Sequence, residues 1–549
     1  MTDEQKLNTS GPFGAGRWMI VILAVAAFLR CYKLASLPPA VFRDEAEKAL
    51  NAWFLLTTGM DASGRPWPIF IEVFGVTTSA IYQYIAMVMM AVGGLNEWTL
   101  RLPAACAGVG AVWFTWLLGR QLGGPRVGLC AAGLLAVSPW HVPLSRWAQQ
   151  GAFLPVLFAA AVWMLAVFVN RKKSAADDGL AARSPRDAWW LCGSAALLAG
   201  AVYTYDPAKV FAPLLVLAMG ALWWPVWRVQ WRVVAVACAV GLVASVPVLW
   251  LMLSEGDAAQ VRFKFLSVFQ PGVPFSTGLM IAVANYLEHF MPGYLLVHGD
   301  AELRHSAGVG VLNIVELVGA VAGAVFAVKR RCRWGALLIV WILLSPVAAS
   351  LTRVGIPHAL RTQLALPAWQ LLAAMGIMQV LDKMPVTRRR AVGQLVFLVA
   401  LVGAFPFVKS YFGSYATRSA FHWQYGVQQA MELLDKPGAE NARVRFHNVT
   451  GAEYLVGFYG RMGRKEFRQM VAGRSRYEFV PFQPPDRPAP TVDEGAVAWV
   501  TPPGYAWSPE LRAVPIYAPG ETHGVSPALV VYLSPALAGQ MGQSAGGNE

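Results

Sequence analysis

The sequence predicts a polytopic α-helical membrane protein with a small α/β domain at its C-terminal end. Of its 549 residues, 56% are hydrophobic and only 14% charged, with a mean hydropathy of +0.46, which excludes an ordinary soluble multidomain enzyme. Apolar stretches of about 20 residues, the length of one bilayer crossing, recur from residues 18–36 to 391–408, about twelve in all. After residue 410 the pattern changes to short β-branched and aromatic runs bounded by Pro and Gly.

Taken in order, residues 1–17 form a cytoplasmic tail and 18–36 an uncleaved first span. Arg30 and Lys33 stand where a signal peptide would have its small-residue cleavage site. The net charge of +14 is a matter of topology, with no nucleic-acid partner implied. Basic residues cluster in alternate loops: Arg120 and Arg126; Arg171, Lys172, Lys173, Arg183 and Arg186; Arg228 and Arg232; Lys329 to Arg333; Lys383 and Arg388 to Arg390. The positive-inside rule puts these loops in the cytoplasm. That pattern requires an odd number of crossings between residues 36 and 120. The stretches 78–95 and 103–122 therefore supply one full crossing and one re-entrant or surface helix, for about eleven to twelve spans overall. The first loop (37–77), "SPWHVPLSRWAQQ", "YTYDPAK", the long loop 254–307, "RVGIPHALR" and the tail 411–549 then lie outside.

In the tail, "ARVRFHNVT", "GAVAWVTPP", "LRAVPIYAP" and "PALVVYLSP" read as strands, and "WQYGVQQAMELLD" as a helix. Residues 482–491 read as a Pro-rich surface loop and "GQSAGGNE" as a disordered end. The six cysteines contain no C-x-x-C pair, so neither a disulfide framework nor a cysteine metal site is expected. His141, His305 and His358 show no metal-ligand spacing, and no metal is expected there either.

Functional candidates lie at the outer ends of the spans. Directly after the first span, "LPPAVFRDEAEKALNAW" places Asp44, Glu47, Lys48 and Asn51 on one helical face and Ala46, Ala49, Leu50 and Trp53 on another, an amphipathic helix for the membrane surface. The bland reading of "DEAE" is a helix cap. The other outer loops each add a polar or cationic group: His141 and Arg146; Tyr203, Tyr205, Asp206 and Lys209; Arg304 and His305; His358 and Arg361. Ionisable groups beside hydrocarbon are costly and tend to serve function. A carboxylate with several cations suits proton abstraction from an acceptor hydroxyl and neutralisation of a leaving phosphate. A secondary transporter of an anionic solute would use similar cations, but no repeated halves are visible.

In order along the chain, "LPPAVFRDEA", "TLRLPAACAGV", "SPWHVPLSR", "YTYDPAKVFAPLLVL", "RHSAGVGVL" and "PHALRTQLALP" resemble bacterial glycosyltransferase family 39, of the GT-C class, which includes protein O-mannosyltransferases and the lipid A aminoarabinose transferase. The resemblance covers roughly residues 18–410. It implies an inverting glycosyltransferase in the bacterial inner membrane, moving a sugar from a polyprenyl-phosphate donor to a hydroxyl of a protein, lipid or glycan on the periplasmic or extracellular side. It implies no required cofactor. Carried over by motif position, Asp44 is the base with Glu45 beside it, and Lys209 and Arg361 are phosphate-binding cations with Arg146 and Arg304; the outer-loop residues Tyr205, Asp206, His305 and His358 are expected to bind substrate. Asp206 stands where the family more often has a neutral residue, which fits an amino-sugar donor, a local partner for Lys209, or no particular role.

Overall fold

The computed structural model describes residues 12–177, 187–254, 265–480, 495, 497–504, 508–521 and 526–546. Most of the expected cytoplasmic tail, Arg183, Arg186 and the Pro-rich loop 482–491 lie outside the described residues. The chain forms two compact units, each assembled from two segments: Met1–Tyr32 with Ala104–Ser410, and Lys33–Pro103 with Tyr411–Glu549.

The first unit is helical. Among the described residues, five helices of the chain are long and apolar enough to cross a membrane: Glu97–Gly123, Gln150–Lys172, Trp231–Ser254, Arg333–Ser350 and Val386–Ser419. Ala359–Ala365 and Ala368–Asp382, bent by 49° at their junction, make a sixth if counted as one span. Ile81–Gly93, Pro125–Ala136, Ala188–Thr204 and Pro207–Leu222 are apolar but shorter. The basic loops call for one crossing in the stretch holding 78–95 and 103–122, and only Glu97–Gly123 has the length for it. Ile81–Gly93 has 13 residues, about 20 Å of rise against about 30 Å of hydrocarbon.

The most apolar window of Trp231–Ser254 is only 11% buried within the protein, and Leu253 and Val243 are 82% and 71% exposed. Apolar surface this continuous is stable only against lipid. Where helices do meet, small residues set the approach. Gly319 and Gly323 form a G-x-x-x-G stripe on Ile314–Lys329 facing Gly376 on Ala368–Asp382, and a Cβ at Gly319 would come within 2.9 Å of the Ala373 carbonyl. This is the close backbone contact that small residues permit between helices in lipid.

In the second unit, strands β1 (Phe70–Val73) and β2 (Val76–Ser79) pair antiparallel around Phe74 and Gly75, whose φ values of 51° and 71° belong to a two-residue hairpin turn. A mixed five-stranded sheet follows from β3 (Arg443–His447), β4 (Tyr477–Val480), β5 (Val497–Thr501), β6 (Arg512–Ile516) and β7 (Leu529–Leu533), in the order β4-β3-β5-β7-β6. β3 runs parallel to β4 and β5, while β7 runs antiparallel to β5 and β6. All four sequence runs read as strands are strands; the edge strand β4 escaped notice. Central β5 is buried throughout, with Trp499 in its middle. Helix Pro535–Gly546 extends into the end expected to be disordered, and residues 547–549 lie outside the described residues.

The two segments of this unit are bonded together. Val41 N–H donates to the Tyr459 hydroxyl (3.0 Å), Arg43 N–H to Gln424 Oε1 (3.1 Å), and Arg464 Nε to the Asp61 carbonyl (2.8 Å).

Candidate functional site

In the second unit the "RDEAEK" motif opens helix Arg43–Thr58, whose N-cap is Phe42 and not Asp44. Asp44 and Glu45 sit in the first turn, where carboxylates oppose the positive end of the helix dipole, and Gly59 closes the helix in the left-handed conformation (φ 70°). The helix is not the half-exposed surface helix expected. Glu45, Glu47, Lys48 and Asn51 are buried together with Ala46, Ala49 and Leu50.

Each polar group on it has a distinct fate. Glu45 accepts Arg101 Nε on one oxygen (3.0 Å) and Arg101 Nη2 on the other (2.9 Å), and its Oε2 also accepts Phe42 N–H (3.2 Å). Both side chains of this pair are fully buried. Arg101 further donates to the carbonyls of Leu34 (3.2 Å), Pro38 (3.0 Å) and Ala40 (2.6 Å), which fixes the loop that precedes the helix. Glu47 Oε1 accepts Asn51 Nδ2 (2.8 Å) and Gln83 Nε2 (3.2 Å), while its Oε2 lies 3.6 Å from Lys48 Nζ. Burial pushes the Glu47 carboxyl above the usual range, against the pull of Lys48 and the Gln83 hydrogen bond. Asp44 differs from both. Its carboxylate makes no hydrogen bond with the described residues; it keeps 29% exposure and only a 3.4 Å ion pair to Arg43.

In the first unit, the expected cations separate into three settings. Arg146 caps the end of the first helix, donating to the carbonyls of Leu29 and Tyr32 at 2.7 Å each. Arg30 does the reverse for Pro125–Ala136, donating to Ala136 O (3.0 Å) and Leu135 O (3.3 Å), with His141 Nδ1 2.8 Å away. Helix carbonyls left over at a C-terminus are natural sites for such cations. Sequence reasoning used Arg30 only as evidence against a signal-peptide cleavage site. Lys209 pairs with Asp206 at 2.8 Å, with Asp206 66% exposed, so the unusual acid is at least the lysine's local partner. Tyr205, in extended backbone, ends helix Ala188–Thr204 immediately before this pair.

The third setting gathers residues 298–306 and 352–362. Arg304 Nε meets Glu302 Oε1 at 3.0 Å, and Arg361 Nη1 donates to Thr352 Oγ1 (2.6 Å) and the Val354 carbonyl (3.0 Å). His305 and His358 stack with ring centroids 4.4 Å apart, beside Asp300, a residue not singled out from sequence. Trp140 Nε1 donates to the Ala359 carbonyl and Trp147 lies over His305, and both tryptophans are buried. His289 holds the arrangement from behind: its Nε2 accepts His358 N–H (3.1 Å) and its Nδ1 donates to Asn285 O (2.7 Å), the neutral tautomer.

The profile of the family described as dolichyl-phosphate-mannose-protein mannosyltransferase matches residues 78–251. No curated protein matches the chain. Solved structures do. ArnT from Cupriavidus metallidurans, bound to undecaprenyl phosphate, aligns at 14% identity and a TM-score of 0.55, over 95% of this chain and 98% of that one. This chain has the GT-C fold. The archaeal oligosaccharyltransferase AglB from Archaeoglobus fulgidus, in complex with an inhibitory peptide and a dolichol-phosphate, aligns at 11% identity and a TM-score of 0.54, over 89% and 69% of the two chains. Another structure of an A. fulgidus oligosaccharyltransferase aligns at 14% identity and a TM-score of 0.53, covering 81% of this chain, which spans only 62% of that one.

Proposed function

We propose that this protein is an inverting glycosyltransferase that moves a sugar from a polyprenyl-phosphate donor to an acceptor hydroxyl on the extracytoplasmic side of a bacterial inner membrane. The GT-C fold and the mannosyltransferase profile support the class. Two matched structures hold polyprenyl-type phosphates, which supports the donor. The observation that carries the reading is Asp44: of the three carboxylates in "RDEAE", Glu45 and Glu47 are spent in buried networks while Asp44 stays open to a partner.

In the reaction, the acceptor oxygen attacks the anomeric carbon from the face opposite the phosphate. Asp44 takes the hydroxyl proton, the bond from anomeric carbon to phosphate oxygen breaks, and polyprenyl phosphate departs with one additional negative charge. Arg361, Lys209 and Arg304 supply positive charge to that phosphate, an interaction that strengthens as charge develops in the transition state. Tyr205, His305 and His358 contribute polar groups to donor binding.

Asp44→Asn is the test, using detergent-purified protein, a panel of polyprenyl-phosphate sugars and envelope fractions as acceptor. Turnover is expected to fall by about 10²- to 10⁴-fold, the range for loss of a general base, with donor affinity and melting temperature unchanged. Full turnover by the variant would remove Asp44 from the chemistry.

A further inference from the structure

Asp300, His305 and His358 come from two segments of the first unit, and all three are buried, at 3%, 8% and 6% exposure. Both imidazoles address the same carboxylate oxygen: His305 Nδ1 is 2.9 Å from Asp300 Oδ2 and His358 Nδ1 is 3.7 Å from it. That oxygen already accepts Ala359 N–H at 2.9 Å, while Oδ1 accepts Glu302 N–H at 2.8 Å. Ligating atoms of all three residues lie within 4.8 Å of one another.

A hydrogen-bonded cluster accounts for half of this geometry, since His305 Nδ1–H can donate to Asp300. His358 brings a second imidazole nitrogen to the same oxygen. The long 3.4 Å contact from Arg361 N–H to His358 Nδ1 marks that nitrogen as carrying a lone pair, which a bound metal would take over. His358 Nδ1 also stands 3.7 Å from Asp300 Oδ2 in a water-poor setting, beyond a direct hydrogen bond and wide enough for a cation between the two atoms. Two imidazolium ions are disfavoured here, because they would repel at a 4.4 Å stacking distance.

We infer that Asp300, His305 and His358 form a divalent transition-metal site, with zinc as its preferred ion. Two imidazoles and one carboxylate are a donor set suited to zinc; magnesium and calcium favour all-oxygen shells. Tetrahedral zinc with bonds of about 2.0–2.1 Å sets its ligand atoms about 3.3 Å apart. The observed 2.9 and 3.7 Å bracket that spacing. Outer contacts hold the ligands in place, as metal sites generally require: His289 on the His358 backbone, Trp147 against the His305 ring, and two backbone N–H groups on Asp300. Three protein ligands leave a fourth position for water or another oxygen ligand. The site shares His305 and His358 with the donor-binding role proposed above, but bound metal is measured without turnover, so the two readings fail separately.

The experiment strips the full-length detergent-purified protein with EDTA, equilibrates it separately with zinc, manganese or magnesium chloride, desalts it and measures bound metal by mass spectrometry. About one zinc per chain is expected, with manganese and magnesium lost on desalting, and zinc should raise the melting temperature. Asp300→Asn, His305→Gln and His358→Gln should each abolish both effects. Zinc X-ray absorption of the unmutated protein gives a readout that survives any folding failure of the variants, and should show two imidazoles with no sulfur ligand. No retained zinc, retention by all three variants, or a sulfur shell each overturns the proposal.

Discussion

Two arginines, both fully shielded from water, meet opposite fates. Arg101 in the second unit closes a two-pronged ion pair with Glu45, so that its charge is cancelled where it sits. Arg30 in the first unit, among the described residues, has only carbonyl oxygens and the ring of His141 as partners, and keeps its charge. A cancelled charge fixes structure. A retained one also leaves a positive field in low dielectric, and the first unit is where the candidate phosphate-binding cations lie.

The contrast can be broken most severely at Glu45. Glu45→Ala strands the Arg101 guanidinium without its counter-charge and should cost about 3–5 kcal/mol, read as loss of folded protein on size-exclusion chromatography. Asp44→Asn, one residue away, should leave folding intact. Arg30→Lys keeps the charge but loses the planar fork that serves two helix ends and His141; about 2 kcal/mol of stability should go, measured by denaturant unfolding.

The smallest effect concerns Glu47 and depends on pH. Because burial raises its folded pKa above the ordinary 4.5, the native state binds more protons than the unfolded chain just above that value. Stability therefore falls as pH rises from the ordinary carboxylate range through the folded pKa, and levels off beyond it. Glu47→Gln should flatten that decline, and identical pH profiles for the two proteins would contradict it.

What the sequence made legible was local. The apolar runs, the basic loops, four of the five C-terminal strands and the unusual charge density after the first span each reside in a single stretch of chain. The pairings were not legible, because they join distant stretches. Arg101 stands 56 residues from Glu45, and Ala359, whose N–H holds Asp300, stands 59 residues away from it. Helical periodicity put Glu47, Lys48 and Asn51 on a polar face and so towards water. It could not anticipate Gln83, which lets that face be buried instead. The histidines likewise carry no ligand spacing because Asp300 and His305 share one loop while His358 arrives from another segment.

The bonds from Val41, Arg43 and Asp61 to Tyr459, Gln424 and Arg464 also order events during biosynthesis. After Pro103 the ribosome must add 321 residues to reach Gln424 and 361 to reach Arg464, tens of seconds at elongation rates of about 5–20 residues per second. Until then the acidic loop stands without the surface that completes it. A chain that stops near Ser410 would keep its whole helical bundle and still never assemble the environment of Asp44.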